Sequence, residues 1–277
     1  MHFKDIVSRL SRVSPDNCEY EARILFESCA GREIPPTLAH CDFIIDNEEI
    51  EEKLELCLQR REKHEPIQYI VGVWEFYRQK YLLSRDCLIP RPDTEVLVEH
   101  AIRLLPKGAH FADLCTGSGC IAVSTLCERP DTTALMVEKF PMTMDVASIN
   151  AVYNGVQGRA DQLLMDILDE EDKLLGKKFD AILSNPPYIR PEVIEGLSQE
   201  VKFEPYAALY GGEDGLAFYR KIIGTYSAFL KKGGFMLLEI GYDQADDVIA
   251  IAREHSYSCE IFKDYGGNDR VAYITGF

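Results

Sequence analysis

From about residue 94 to the C-terminus, strand-like and helix-like hydrophobic patterns alternate along the chain. The predicted strands are 110–114, 133–137, 159–164, 179–184, 234–240, 259–263 and 271–275. The predicted helices are 94–105, one from about 119, 141–153, 216–229 and 244–255. Alternating strands and helices predict a mainly parallel sheet with helices on both faces. In such sheets ligands bind at the carboxyl ends of the strands, near the point where the strand order reverses.

The first 68 residues have a different pattern and predict a small helical bundle. Apolar residues recur there at helical spacing, namely Phe3, Ile6, Val7, Leu10, Ala22, Leu25, Phe26 and Cys29. Pro35 and Pro36 predict a break between helices. Asp46 with Glu49 predicts a capping box that opens a further helix, which ends near residue 64.

Residues 69–89 predict a β-hairpin linker, because β-forming residues sit there among polar ones. Next, the Ile-Pro-Arg-Pro segment at 89–92 breaks the chain, and Asp93 or Thr94 starts the following helix. The sequence therefore divides into a helical domain at 1–68, a linker at 69–89 and an α/β domain at 90–277.

Composition excludes several classes of protein. The 277 residues include 30 basic and 46 acidic ones, a net charge of −16, which argues against a general nucleic-acid binder. The nine cysteines contain no C-x-x-C pair, so no metal site is expected, and free thiols suit a reducing cytoplasm. No apolar run approaches the roughly 20 residues that span a bilayer, so we expect no membrane segment.

A glycine-rich loop follows the first predicted strand of the α/β domain. The segment FADLCTGSGC at 111–120 places Asp113 at the end of that strand, and Gly117 and Gly119 allow close backbone approach to a ligand. With Ala122, this loop matches the dinucleotide-binding fingerprint G-x-G-x-x-A. The carboxylate-x-x-x-Gly-x-Gly pattern equally resembles motif I of S-adenosylmethionine methyltransferases. Glu138 would hold ribose hydroxyls in either case, so this loop alone leaves both cofactors open.

A second loop, Asn-Pro-Pro-Tyr at 185–188, closes the fourth predicted strand of this domain and favours the methyltransferase interpretation. A planar amide nitrogen is a poor nucleophile because its lone pair is delocalised. The side-chain oxygen of Asn185 and the backbone carbonyl of Pro186 can each accept one N–H, orient the NH₂ group and stabilise the developing positive charge. The prolines fix the loop in advance, and Tyr188 can pack against a flat substrate group.

With these two loops, the chain resembles the PrmC/HemK family of protein-(glutamine-N5) methyltransferases, which modify peptide-chain release factors. The resemblance covers nearly the whole length. It includes PIQYIVG at 66–72, EF at 75–76, LIPRPDTE at 88–95, EPYAAL at 204–209, GEDGL at 212–216, LEIG at 238–241 and DYGGNDRV at 264–271. It implies a Rossmann-like, seven-stranded methyltransferase domain behind the helical domain and the hairpin.

The resemblance also implies a substrate, a cofactor and a set of site residues. The substrate is the glutamine of the Gly-Gly-Gln loop in release factors, and the methyl donor is S-adenosyl-L-methionine. The implied cofactor contacts are Asp113, Cys115, Thr116, Gly117, Ser118, Gly119, Glu138, Asp166, Ile167 and Asn185. The implied substrate contacts are Asn185, Pro186, Pro187, Tyr188 and Arg91, with Asp93 near the entrance. Asn185, Pro186 and Tyr188 are the predicted catalytic residues. We expect no direct nucleic-acid contact, and a monomer.

Three positions depart from the family pattern. Cys115 replaces the first glycine of the loop, Glu138 stands where Asp is common, and Ile167 occupies a place where family members can carry an aromatic residue. None of the three removes a group that methyl transfer needs.

Overall fold

The computed structural model describes residues 1–34 and 42–277, so the break predicted at Pro35 and Pro36 lies outside the described residues. The chain forms two compact units. The helical unit contains Met1–Trp74 together with Ser198–Phe203. The sheet unit contains Glu75–Leu197 and Glu204–Phe277.

The helical unit is built from α1 (Phe3–Leu10), α2 (Cys18–Ala30), α3 (Glu48–Arg61) and α4 (Ile67–Val71). Its core includes Ile6, Leu10 and Leu25 from the predicted apolar faces and Leu54 and Leu58 from α3, all fully buried. The capping box predicted at Asp46 is wrong by one residue. The N-cap is Asn47, whose side-chain oxygen accepts a hydrogen bond from the N–H of Ile50 at 3.1 Å.

The same unit buries an arginine. Arg61 is 2 % exposed, and its guanidinium donates to both carboxylate oxygens of Glu21 at 2.7 and 3.0 Å and to Glu200 at 2.5 Å. A buried charge without such partners would be strongly destabilising. The contact with Glu200 ties the segment Ser198–Phe203 to the helices.

The hairpin is shorter than predicted, with β1 (Val73–Phe76) and β2 (Gln79–Leu82) forming a two-stranded sheet. The assignment of Tyr69 and Val71 to this hairpin is wrong, because both belong to α4. Pro66 precedes that helix, and Gly72 ends it with φ +73°. Tyr69 is buried in the helix, so tertiary packing overrides its β-propensity.

The sheet unit contains a seven-stranded sheet, which confirms the predicted fold class. Its strands are β3 (His110–Leu114), β4 (Thr133–Glu138), β5 (Ala160–Leu164), β6 (Phe179–Ser184), β7 (Leu230–Glu239), β8 (Ser258–Lys263) and β9 (Asp269–Thr275). The order across the sheet is β5-β4-β3-β6-β7-β9-β8. Five neighbouring strands are parallel, namely β5, β4, β3, β6 and β7. Strand β9 runs antiparallel to both β7 and β8.

Seven helices belong to the described parts of the sheet unit. They are α5 (Glu95–Leu104), α6 (Cys120–Glu128), α7 (Pro141–Tyr153), α8 (Pro191–Gly196), α9 (Tyr206–Leu209), α10 (Ala217–Thr225) and α11 (Ala245–Glu254). The helix predicted at 216–229 changes character after Thr225, where a 3₁₀ turn covers Tyr226–Phe229. Strand β7 begins four residues before its predicted start, at Leu230.

The strand order places the two predicted loops side by side. β3 pairs with β4 on one side and with β6 on the other, and Leu114 lies opposite Ser184 at the carboxyl ends of β3 and β6. The hydroxyl of Ser184 donates to the backbone carbonyl of Leu114 at 2.6 Å and ties the two strand ends together. The strand order reverses between β3 and β6, and open α/β sheets bind ligands at such a reversal.

Neither a long apolar helix that would cross a bilayer nor a group of three or more potential metal ligands occurs in residues 1–34 and 42–277.

Candidate active site

A cavity of about 360 Å³ opens at the carboxyl edge of the parallel strands, within the sheet unit. Its volume falls in the range of about 300–1,000 Å³ that small-molecule sites occupy. Ten predicted site residues line it, namely Arg91, Cys115, Thr116, Gly117, Ser118, Glu138, Asp166, Ile167, Asn185 and Pro187. The other five predicted residues, Asp93, Asp113, Gly119, Pro186 and Tyr188, are not part of the lining that the described residues form.

The two glycines of the loop after β3 have different structural roles. Gly117 has φ +57° and lines the cavity, and a Cβ built there would meet only the Cys115 carbonyl, at 4.0 Å. Gly119 has φ +81°, and a Cβ there would come within 3.3 Å of the Cβ of Ala147 in α7. Gly117 therefore leaves its backbone open to a ligand, whereas Gly119 permits close packing against α7.

Cys115 also lies in this loop and adopts a left-handed conformation with φ +58°. That conformation costs a side-chain-bearing residue about 1 kcal/mol or more relative to glycine. The loop thus keeps the backbone geometry that a glycine would allow, and the departure at this position adds a thiol to the lining without unfolding the turn.

Glu138 holds the loop from the neighbouring strand. Its carboxylate is 8 % exposed and accepts three backbone N–H groups, from Gly117 at 3.1 Å, Lys139 at 2.8 Å and Phe140 at 3.1 Å. Burial raises the pKa of this carboxyl, while the three N–H donors oppose that shift. Two carboxylate oxygens have about four acceptor sites, so one remains for a ligand hydroxyl.

Asp113 holds the glycine loop in place through buried hydrogen bonds. It is fully buried, and its Oδ2 accepts the hydroxyl of Thr116 at 2.6 Å and the N–H of Ala122 at 3.2 Å. Burial raises its pKa to about 7. Its other oxygen has no hydrogen-bond partner within the described chain. These contacts give Asp113 a role in positioning the loop, and its predicted contact with the cofactor stays a prediction.

Asp166 and Ile167 follow β5 and line the far end of the cavity. The Asp166 carboxylate pairs with Lys139 at 2.6 Å and accepts the N–H of Leu168 at 3.0 Å. Ile167 is 3 % exposed, and its backbone carbonyl accepts the hydroxyl of Tyr226 at 2.8 Å. The end of the cavity is thus an apolar wall beside an anchored carboxylate.

Asn185 lines the cavity and directly follows β6. Its side-chain nitrogen Nδ2 donates to the hydroxyl oxygen of Thr94 at 3.3 Å. Thr94 is 1 % exposed and belongs to the 3₁₀ turn Pro92–Thr94 that precedes α5. This contact engages the nitrogen end of the amide and leaves the oxygen end to accept a hydrogen bond.

Tyr188 turns away from the cavity. Its hydroxyl donates to Oε1 of Glu239 at 3.4 Å, at the buried end of β7. Gly211 and Gly215 pack directly against the backbone of Tyr188. A Cβ on Gly211 would lie 2.5 Å from the Tyr188 Cα, and one on Gly215 would lie 2.6 Å from the Tyr188 carbonyl oxygen. Packing of the Tyr188 ring against a substrate therefore stays a prediction.

Sequence reasoning did not assign a role to Gly211, Gly215, Thr94 or Glu239. The signals for Gly215, Thr94 and Glu239 were present in the GEDGL, LIPRPDTE and LEIG segments, which carried the family resemblance without a chemical explanation, whereas Gly211 directly precedes GEDGL.

Arg91 is already engaged by a carboxylate. Its guanidinium forms an ion pair with Glu204, which is 5 % exposed and also accepts the N–H of Ile89 at 3.0 Å. Arg91 lines the cavity, and Glu204 anchors the segment before α9 to the chain around Ile89. A contact between Arg91 and substrate remains a prediction.

Two family descriptions match this chain. Residues 3–72 match the "PrmC N-terminal domain", and residues 92–200 match the "Methyltransferase small domain". A methyltransferase from Pyrococcus furiosus of known structure is 17 % identical, with a TM-score of 0.50 over 68 % of this chain and 83 % of that protein, which supports the fold alone.

The similarity to curated relatives shows which family of methyltransferases the chain belongs to. The "Release factor glutamine methyltransferase" of Salmonella typhimurium is 39 % identical over 261 residues, 92 % of this chain and 91 % of the relative. The "Bifunctional methyltransferase" of Rickettsia typhi is 33 % identical over 96 % of this chain, and the chain spans about half of that relative, 55 % of its length. These matches decide between the two interpretations of the glycine loop and confirm the resemblance. The chain is therefore a member of the family of release factor glutamine methyltransferases.

Proposed function

We propose that this chain transfers a methyl group from S-adenosylmethionine to the side-chain nitrogen of a glutamine, the one in the Gly-Gly-Gln loop of peptide-chain release factors. The observation that carries the proposal is Asn185, whose amide nitrogen is held by Thr94 while its oxygen is left for a partner. A primary amide substrate presents two N–H donors and needs acceptors of this kind. The name of the Salmonella typhimurium relative agrees with the proposed substrate, and the name of the Rickettsia typhi relative agrees with methyl transfer alone.

The residues around the cavity fit S-adenosylmethionine. Glu138 offers a buried carboxylate for ribose hydroxyls, and Gly117 leaves room for close backbone contact. Asp166 and Ile167 would lie beside the adenine, where the apolar wall suits a flat ring. When bound, S-adenosylmethionine supplies an electrophilic methyl group on sulfur.

The chain itself supplies orientation and charge stabilisation. Oδ1 of Asn185, in the cavity lining, and the backbone carbonyl of Pro186, the next residue of the loop but outside the lining, would each accept one N–H of the glutamine amide and so orient its nitrogen. The two acceptors would stabilise the positive charge that develops on the amide nitrogen as its N–C bond forms and the S–C bond of the donor breaks. The nitrogen would then lose a proton to solvent, and the donor would leave without its methyl group. No strong general base is needed, because the proton becomes acidic only as the bond forms.

The deciding experiment supplies labelled S-adenosylmethionine to the chain with a release factor whose Gly-Gly-Gln glutamine is intact or replaced by alanine. We expect label on the intact protein only. Equal labelling of both proteins contradicts the proposed target residue. Labelling of naked RNA or DNA with none of the release factor contradicts the proposed substrate class.

We also propose the wider setting of this reaction. The domains are assigned as 1–68 for the helical domain, which would dock the protein substrate, 69–89 for the linker and 90–277 for catalysis. The partner is the release factor without direct nucleic-acid contact, and the chain acts as a monomer in the cytoplasm. Analytical ultracentrifugation of the chain alone and with a release factor tests the expected 1:1 stoichiometry.

A further inference from the structure

Gln244, the residue before α11, places a buried amide beside the Asn-Pro-Pro-Tyr loop and is 5 % exposed. Its side-chain nitrogen Nε2 donates to the backbone carbonyl of Tyr188 at 3.1 Å and to that of Gly215 at 3.2 Å. Its oxygen Oε1 accepts the N–H of Gly241 at 2.9 Å and the hydroxyl of Tyr219 at 3.3 Å. A glutamine amide has two N–H donors and two acceptor lone pairs, so these four contacts use all of them.

The four contacts determine which way the Gln244 amide points. In the reversed orientation its N–H groups would face the N–H of Gly241, and its oxygen would face two carbonyl oxygens. The site is buried, so water is not available to satisfy these groups, and each unsatisfied one would cost stability. Gln244 therefore joins three segments in one arrangement, namely the loop after β6, the turn before α10 and the turn after β7.

The backbone of Tyr188 is closely surrounded where the loop ends. A Cβ on Gly215 would lie 2.6 Å from the carbonyl oxygen of Tyr188 and 2.8 Å from Nε2 of Gln244, so no space separates the three groups. The next residue, Ile189, donates its N–H to the backbone carbonyl of Leu209 at 2.8 Å. Backbone contacts thus hold the chain just after the loop, and the Gln244 side chain holds its last residue.

We propose that Gln244 is a positioning residue that fixes the end of the Asn-Pro-Pro-Tyr loop, so that Oδ1 of Asn185 and the carbonyl of Pro186 converge on one substrate amide. The inference rests on the proposed function, because both acceptors belong to that reaction. The φ angles of Pro186 and Pro187 are fixed, so a shift of the Tyr188 backbone is transmitted along the loop. Gln244 is not part of the cavity lining that the described residues form, so it acts through the loop.

The first test compares Gln244→Met and Gln244→Glu with the parent in single-turnover methylation of a release factor at saturating cofactor. Methionine keeps the length of the side chain and removes all four hydrogen bonds. Glutamate keeps an acceptor for the N–H of Gly241 but, when ionised, cannot donate to the carbonyl of Tyr188. We expect both variants to lower the methyl-transfer rate by about tenfold or more, because the two acceptors lose their alignment.

Cofactor affinity separates positioning from general damage to the fold. Calorimetric titration should give a Kd for S-adenosylmethionine within about threefold of the parent in both variants. Gln79→Met is the matched control, because it makes the same change at a partly buried glutamine of β2 whose Oε1 has no partner within the described residues. Its methyl-transfer rate should also stay within about threefold of the parent.

Three results of this comparison would overturn the proposal. One is a parent-like rate in Gln244→Met, and another is an equal loss of rate in Gln79→Met. The third is a loss of cofactor affinity as large as the loss of rate, which would show that the substitution damages the whole site.

A second measurement needs neither substrate nor methyl transfer. Hydrogen exchange at the backbone N–H of Ile189, followed by mass spectrometry, reports how firmly the end of the loop is held. Exchange should be several-fold faster in Gln244→Met than in the parent and unchanged in Gln79→Met. Unchanged exchange in Gln244→Met would refute the hold of Gln244 on the loop. A parent chain that labels no release factor would contradict the proposed function, whereas the exchange rates would still show whether Gln244 fixes the loop.

Discussion

Gly211 has no room for a side chain beside the Asn-Pro-Pro-Tyr loop. A Cβ there would lie 2.5 and 2.8 Å from the Cα and carbonyl carbon of Tyr188, both backbone atoms that cannot rotate away. We expect Gly211→Ala to displace that loop, to lower the free energy of unfolding by about 1–3 kcal/mol and to reduce methyl transfer. Gly158→Ala is the matched control, because nothing lies within 4 Å of its Cβ and its φ is ordinary. Chemical denaturation and single-turnover rates of both variants check this, and equal effects at the two glycines would contradict it.

Asn185 is the residue on which the proposed chemistry depends most. Replacing it with alanine removes the side-chain acceptor from the cavity but no core packing. We therefore expect Asn185→Ala to keep the fold and most cofactor binding while kcat falls by about 10²-fold or more, as for loss of one preorganised hydrogen-bonding group. Calorimetric titration with S-adenosylmethionine and single-turnover labelling measure the two effects. Near-normal turnover would disprove the two-acceptor mechanism.

Ionisation of Asp113, below the glycine loop, makes the stability of the fold depend on pH. Its folded pKa is about 7 against an ordinary value of 3.8, so the folded chain holds a proton there that the unfolded chain has lost. Stability from this group is present below about pH 4 and falls as the pH rises through 7. The side chain of Asp113→Asn cannot ionise. We therefore expect the free energy of unfolding of this variant, relative to that of the parent, to rise by roughly 3 kcal/mol between pH 4.5 and 8. Urea titrations at the two pH values test this, and a constant difference would contradict it.

At the scale of the elements, the start of α3 tests how well the N-cap residue of a helix can be predicted from sequence. Asn47, not Asp46, caps the helix, because its oxygen reaches the N–H of Ile50. We expect Asn47→Ala to lower stability by about 1 kcal/mol and Asp46→Ala to leave it nearly unchanged. Thermal unfolding of the two variants measures the difference. A larger loss in Asp46→Ala would restore the capping box that the sequence suggested.

The elements also show where hydrophobic patterns suffice. Helix α7 begins and ends where predicted, at Pro141 and Tyr153, because a proline at the first position fixes the start. Residues 69–71 are predicted to belong to the hairpin, since Tyr, Ile and Val favour strands, but they lie in the helix α4. One helical turn buries Ile67, Tyr69 and Ile70 in the helical unit, and that packing decides its conformation.

For the whole molecule, the net charge of −16 predicts an effect on encounter. If the surface of the proposed release-factor substrate is basic, an acidic enzyme attracts it over long range. We expect kcat/KM for the release factor to fall several-fold as salt rises from about 0.05 to 0.5 M, with kcat little changed, because screening acts on encounter. Steady-state kinetics at varied salt measure this, with neutral sucrose as the control for general solvent effects. A salt-independent kcat/KM would mean that the charge serves solubility only.

The sequence by itself determined the α/β class, the two loops at one sheet edge and the family. These follow from local spacing, since alternating patterns define strands and the loops follow the carboxyl ends of the first and fourth predicted strands, which meet at one edge of a parallel sheet. The tertiary structure alone decided which groups meet there. It turned Tyr188 toward Glu239, paired Arg91 with Glu204 and set Thr94 against Asn185, residues 91 positions apart. Such contacts depend on how separate strands and helices pack, and no pattern along the chain encodes them.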